Sequence, residues 1–145
     1  EAWAFFVAED QGPASTAGKR AADFEREGEV LEPVLAALTK AQSAATSGDV
    51  EAFGSAADEV RSAVDYIFYL ATYKYLDHAG DDVTQAEGET FYLGISETVA
   101  AASTEADEEI AGAFASGDAE AGRAALHRPE VLTALGIEES ERVDG

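Results

Sequence analysis

Two glutamates stand where a carboxylate could do chemistry. Glu87 lies four residues before Phe91 and eight before Ile95, a spacing that sets it on the apolar stripe of a helix. Glu1 stands in the same relation to Phe5. A carboxylate facing a core must be protonated, paired or bound to a metal. The loop from Ala79 to Val83 is short, so the helices on either side of it are expected to be antiparallel neighbours. Glu87 then comes level with Tyr73 to Asp77, and Asp77, His78 and Glu87 converge near one end of the bundle, with Tyr73 one turn before Asp77. Oxygen ligands with one imidazole suit iron, manganese, calcium or magnesium better than copper(I). The plainer reading of the same residues is helix-terminal charge. Glu1 and Glu87 fall in first turns, and His78 at a helix C-terminus, where those signs are favourable. His127, before Arg128-Pro129, reads as a loop residue.

Other chemistries find no footing. The chain has no cysteine, which removes thiolate metal sites, disulfides and thiol catalysis. With two histidines, it carries no H-E-x-x-H, no paired E-x-x-H, no calcium loop of the EF-hand kind, no phosphate-binding glycine loop and no nucleophile elbow. A non-enzymatic role is therefore expected, with a carboxylate-metal oxidoreductase as the weakest alternative.

The elements that must position these residues read as helices throughout. There are 31 alanines, and β-branched residues never cluster in period two. Helices are expected from Glu1 to Asp10, Ala14 to Glu27, Glu32 to Thr46 with Pro33 in the first turn, and Val50 to His78. The last of these shows Phe53, Ala57, Val60, Val64, Ile67 and Ala71 along one face. Another is expected from Thr84 toward Ala115, interrupted at most at Ser103-Thr104, then a short one to Leu126 and a last one from Pro129 to Gly136. The pattern E-[AG]-x-x-F-[FY] occurs at Glu1 and again at Glu87, and Ser47-Gly48-Asp49-Val50-Glu51-Ala52 is echoed by Ser116-Gly117-Asp118-Ala119-Glu120-Ala121. The order is conserved between the pairs, with 42 residues from Phe5 to Ser47 against 25 from Phe91 to Ser116. The fold expected is all-α, an antiparallel, four-helix-bundle-like arrangement built from two related helical hairpins. It would form a single domain over 1–137, with the repeat at 1–78 and 84–137, followed by a frayed tail at 138–145.

The same residues carry a resemblance. In Ala86-Glu87-Gly88-Glu89-Thr90-Phe91-Tyr92 with Ile95, and in the tyrosine-rich helix Tyr66 to His78, the chain resembles the algal iron-assimilating, high-CO2-inducible periplasmic protein family, here in an acidic, haloarchaeal version. The resemblance covers a third of the chain. It implies a helical, secreted or surface-associated protein concerned with iron uptake, in which Glu87 is a ligand and Glu1 follows by the repeat.

Charge speaks to habitat. Thirty acidic residues against nine basic ones leave a formal charge of −21, and only three of the cations are lysine. Self-repulsion at this density opposes a compact state in dilute buffer. Molar salt shortens the Debye length from ~10 Å to ~3 Å and removes most of it. An acidic disordered tail is the competing reading, but 46% of the residues are hydrophobic, which favours a folded domain adapted to high salt. Nucleic acid and membrane insertion are not expected, since the field repels the first and no apolar run is long enough for the second. The partners expected are metal ions and other domains of a longer chain, because the start at Glu1-Ala2-Trp3 looks like an excised or processed piece. The function expected is extracytoplasmic, cell-surface metal capture or delivery, with iron foremost. The alternative is a non-enzymatic interaction or spacer module of a larger cell-surface protein.

Overall fold

The computed structural model describes residues 13–77 and 82–143. Glu1 and His78, two of the expected ligands, lie outside the described residues, as does the first expected helix. Within them the chain forms eight α-helices and no strand, in agreement with an all-α class. These are α1 (Pro13–Ala22), α2 (Glu27–Ser47), α3 (Val50–Leu76), α4 (Asp82–Tyr92), α5 (Ser96–Ala102), α6 (Thr104–Ser116), α7 (Ala119–Leu126) and α8 (Pro129–Leu135). The chain divides into two compact units, Glu1–Ile67 and Phe68–Gly145, whose boundary falls inside α3.

In the first unit, α1 packs on α2 through its small face. Ala17 and Ala21 are buried, as are Val30, Val34 and Ala37 of α2. Gly18 lies against Leu31, since a Cβ there would sit 3.7 Å from its Cδ1. The chain leaves α1 by a Schellman closure: the Arg26 N–H donates to the Ala21 carbonyl (2.9 Å) and the Glu25 N–H to that of Ala22 (3.2 Å). This sets Glu25 at φ 59°, the left-handed region. Helix α2 begins five residues before the expected start and holds Pro33 in its interior. Pro33 signals a first turn, but Val30 and Val34 on either side of it are both buried, and this packing outweighs the local preference.

Ser47-Gly48-Asp49 breaks the chain as expected. Gly48 takes φ 73°, the Asp49 N–H returns to the Ala44 carbonyl at 3.0 Å, and Asp49 Oδ1 caps α3 by accepting the Ala52 N–H at 3.0 Å. Lys40 then ties α2 to α3 through Glu59 at 2.6 Å. The apolar stripe of α3 is covered at one end only. Ile67 and Ala71 are buried and Val60 and Val64 half-buried, but Phe53 and Ala57 are exposed.

In the second unit the remainder of α3 is buried at Tyr69, Leu70, Ala71, Thr72, Tyr73 and Leu76. Five short helices accompany it. The long helix expected from Thr84 toward Ala115 is three helices, broken at Leu93–Ile95 and at Ser103. The second break falls where Ser103-Thr104 allows an interruption, and there Ser103 accepts the Ala106 N–H on its hydroxyl at 3.2 Å. The repeated Ser116-Gly117-Asp118 reproduces the geometry of the first, with Gly117 at φ 75° and Asp118 Oδ1 capping α7 through the Ala121 N–H at 3.1 Å. Helix α6 packs on α4, α5 and α7, and α8 on α5 and α7.

Two glycines allow the closest approaches to the end of α3. A Cβ on Gly88 would lie 2.5 Å from the Phe114 ring and 2.8 Å from Tyr75 Cβ. One on Gly122 would lie 2.6 Å from Leu76 Cδ2 and 2.7 Å from Ala113 Cβ. The segment after Ile137, read from the sequence as a frayed tail, turns at Glu138–Glu141 and buries Val143, whose N–H donates to the Tyr69 hydroxyl at 3.3 Å.

Candidate functional site

The second half of α3 presents its polar groups on two faces. Tyr69, Tyr73 and Asp77 recur every four residues on one face. Tyr75 lies about 200° away from Tyr73 and Asp77 at the helical repeat. The candidate ligands divide between these faces.

On the first face His127, which caps the C-terminus of α7, stacks on Tyr73 with ring centroids 5.0 Å apart and 15° between planes. Its Nε2 is 3.0 Å from the Tyr69 hydroxyl. The Arg123 guanidinium lies over the Tyr73 ring, 4.4 Å from its centre, and forms an ion pair with Asp77. Two aromatic contacts, a cation over a ring and a salt bridge thus fasten α7 to α3. Neither His127 nor Arg123 was singled out from the sequence as part of this group. Arg123 falls four residues before His127 and lies on the same face of α7, which is the signal that could have found them together.

On the second face the Tyr75 hydroxyl donates to Glu87 Oε2 at 2.7 Å, and the Tyr75 ring stacks on Phe91 at 5.4 Å and 19°. Glu87 does come level with α3 where the short loop placed it. Its side chain is exposed, however, not turned to the core. The buried line of α4 runs through Gly88 and Tyr92 and on to Ile95, one residue out of step with Glu87 and Phe91 at its start. Glycine adds nothing to a hydrophobic stripe, yet a Cβ on Gly88 would run into Tyr75 of α3 and Phe114 of α6.

Of the five expected ligands, the described residues therefore hold three. Tyr73 is buried between a cation and an imidazole, Asp77 is paired with Arg123, and Glu87 accepts from Tyr75. Among the described residues no three His, Asp or Glu side chains gather as a metal would require.

A further polar pair was missed. Tyr92 is buried and its hydroxyl donates to Asp107 Oδ1 at 2.7 Å, joining α4 to α6. Burial, with the carboxylate beside it, pushes its pKa well above the usual tyrosine range, so it stays a neutral donor. Arg128 binds both oxygens of Glu109 at 2.8 and 2.9 Å and reaches Glu105 at 3.3 Å, bringing the start of α8 to α6. These groups hold helices together. No helix among the described residues is long and apolar enough to cross a membrane. Comparison with protein-family models, with curated proteins and with solved structures finds no match to this chain, and the resemblance at Ala86–Tyr92 rests on its own residues.

Proposed function

We propose that this chain is a non-catalytic helical module, a spacer and docking element adapted to high salt. The observation that carries the reading is that its candidate chemical groups are engaged with one another across helices. The imidazole of His127 is stacked on Tyr73 and bonded to Tyr69, Asp77 is paired with Arg123, and Glu87 is bonded to Tyr75. Each contact joins one helix to another, which is what a scaffold needs. A reactive site would leave such groups aimed into a cleft.

Metal capture, with iron foremost, is the second reading. What favours it is the bond between Tyr75 and Glu87, which brings the first turns of α4 alongside the last turn of α3, two residues from Asp77. Calorimetry with ferrous, ferric and manganous ions in molar salt separates the two. The module reading expects the same weak, unsaturable heats from the wild type and from Glu87→Ala. A saturable heat in the wild type that disappears in Glu87→Ala would overturn it in favour of metal.

A further inference from the structure

The first half of α3 carries apolar side chains at Val50, Phe53, Ala57, Val60 and Val64, along one face of the helix. Val60 and Val64 are half-buried, but Ala57 is exposed, Phe53 is 46% exposed and Val50 83%. The strip therefore opens from Val60 toward the start of the helix.

The first unit fixes what stands level with it. Short turns join α1 to α2 and α2 to α3, so each pair runs antiparallel. Gly18 lies against Leu31, and Lys40 is bonded to Glu59 at 2.6 Å. Carried along the helices from these two contacts, the levels place Ala14 of α1 beside Val64, to within a turn. The strip is half-covered around the first turn of α1 and opens beyond it. A chain that continues in the direction of α1 from Pro13 back toward Glu1 runs along the open part. In the same register Trp3 comes level with Phe53 and Val7 with Ala57. Over the helix that the sequence leads one to expect from Glu1 to Asp10, Trp3, Phe6 and Val7 share one face, and Glu1 and Glu9 fall away from it.

We propose that the segment from Glu1 to Asp10 occupies the strip, parallel to α3, with Trp3 on Phe53 and Val7 on Ala57. The occupant is tethered at Pro13, so its local concentration is high and its seating does not depend on a second chain. Like charges come level too, Glu1 with Glu51 and Glu9 with Glu59. Molar salt screens them, since the Debye length there is ~3 Å. The seat stands apart from the module reading, which the metal heats decide.

Trp3 is the only tryptophan, so its fluorescence reads the seat in the full chain. In molar potassium chloride its emission should be blue-shifted from that of the urea-unfolded chain and shielded from acrylamide. Phe53→Asp should shift it to the red and open it to acrylamide, with the helical circular dichroism unchanged. Leu93→Asp, at a 72% exposed leucine of the other unit, should leave it unmoved. A second measurement holds if Phe53→Asp disturbs the fold. The chain has no cysteine, so Val7→Cys with Ala57→Cys introduces its only thiols, and mild oxidation should join them within one chain. A Trp3 as exposed as in urea overturns the proposal, and so does a shielded Trp3 that Phe53→Asp leaves unmoved. A disulfide that forms only between chains gives the strip to a second copy and overturns it as well.

Discussion

Thr72 is buried completely on α3 and its hydroxyl has no hydrogen-bond partner. A threonine inside a helix ordinarily returns its hydroxyl to the carbonyl four residues earlier. Thr39, Thr46 and Thr90 do so here, to Leu35, Gln42 and Ala86 at 2.7–2.8 Å. Leaving a buried hydroxyl unpaired costs about 1–3 kcal/mol. Valine has nearly the same shape and nothing to satisfy. Thr72→Val should therefore raise stability by about 1 kcal/mol, seen as a higher urea midpoint with an unchanged slope. A lower midpoint would show that the hydroxyl is in use. The same reasoning at residue scale explains why Asp77 and Glu87 were hard to read. A carboxylate on a helix near other polar groups looks the same in sequence whether it waits for a metal or already holds an arginine or a tyrosine. The partners that decide it, Arg123 and Tyr75, are brought there by packing.

At the scale of elements, the chain was most legible where the cause is local. Ser-Gly-Asp carries both a stop and a start, a left-handed glycine and a capping aspartate, and both copies do what the residues dictate. It was least legible where the cause is tertiary. The break at Leu93–Ile95 leaves Gly94 pressed on Phe68, whose ring atoms would lie 2.7 Å from a Cβ there. Nothing in the neighbouring residues announces that contact. The start of α2 five residues early is of the same kind, since burial of Val30 and Val34 overrides Pro33.

A pair of substitutions separates the two kinds of cause. Glu25 occupies at φ 59° the role that Gly48 and Gly117 fill elsewhere, and an L-residue pays about 1–2 kcal/mol for that conformation. Glu25→Gly should stabilise by about 0.5–1 kcal/mol after the added freedom of the unfolded glycine is counted. Gly122→Ala should destabilise by about 1–3 kcal/mol, although alanine is the better helix former, because its Cβ would meet Leu76 and Ala113. Denaturant melts of the two variants check both signs. A stabilising Gly122→Ala would mean that α7 does not approach α3 as closely as described.

At the scale of the whole molecule the charge decides the conditions under which any of this can be measured. Arg20, Arg26, Lys40, Arg123, Arg128 and Arg142 each pair with a carboxylate, but nine cations cannot neutralise thirty acids. Exposed pairs contribute about 0–1 kcal/mol each, so they do not offset the repulsion of the rest. Adding salt screens that repulsion in the folded chain more than in the expanded one, where the charges stand further apart. The melting temperature should therefore climb from dilute buffer to molar potassium chloride. The shape of the climb identifies the cause. Screening is nearly complete once the Debye length reaches ~3 Å at 1 M, so a gain that comes from screening levels off near there and is alike for sodium and potassium chloride. A gain that comes from exclusion of salt from the surface keeps rising, and is larger for sulfate than for chloride. Thermal melts across both salt series distinguish these outcomes. A melting temperature that does not move with salt would remove the adaptation to high salt from the reading, and with it the reason for so acidic a surface.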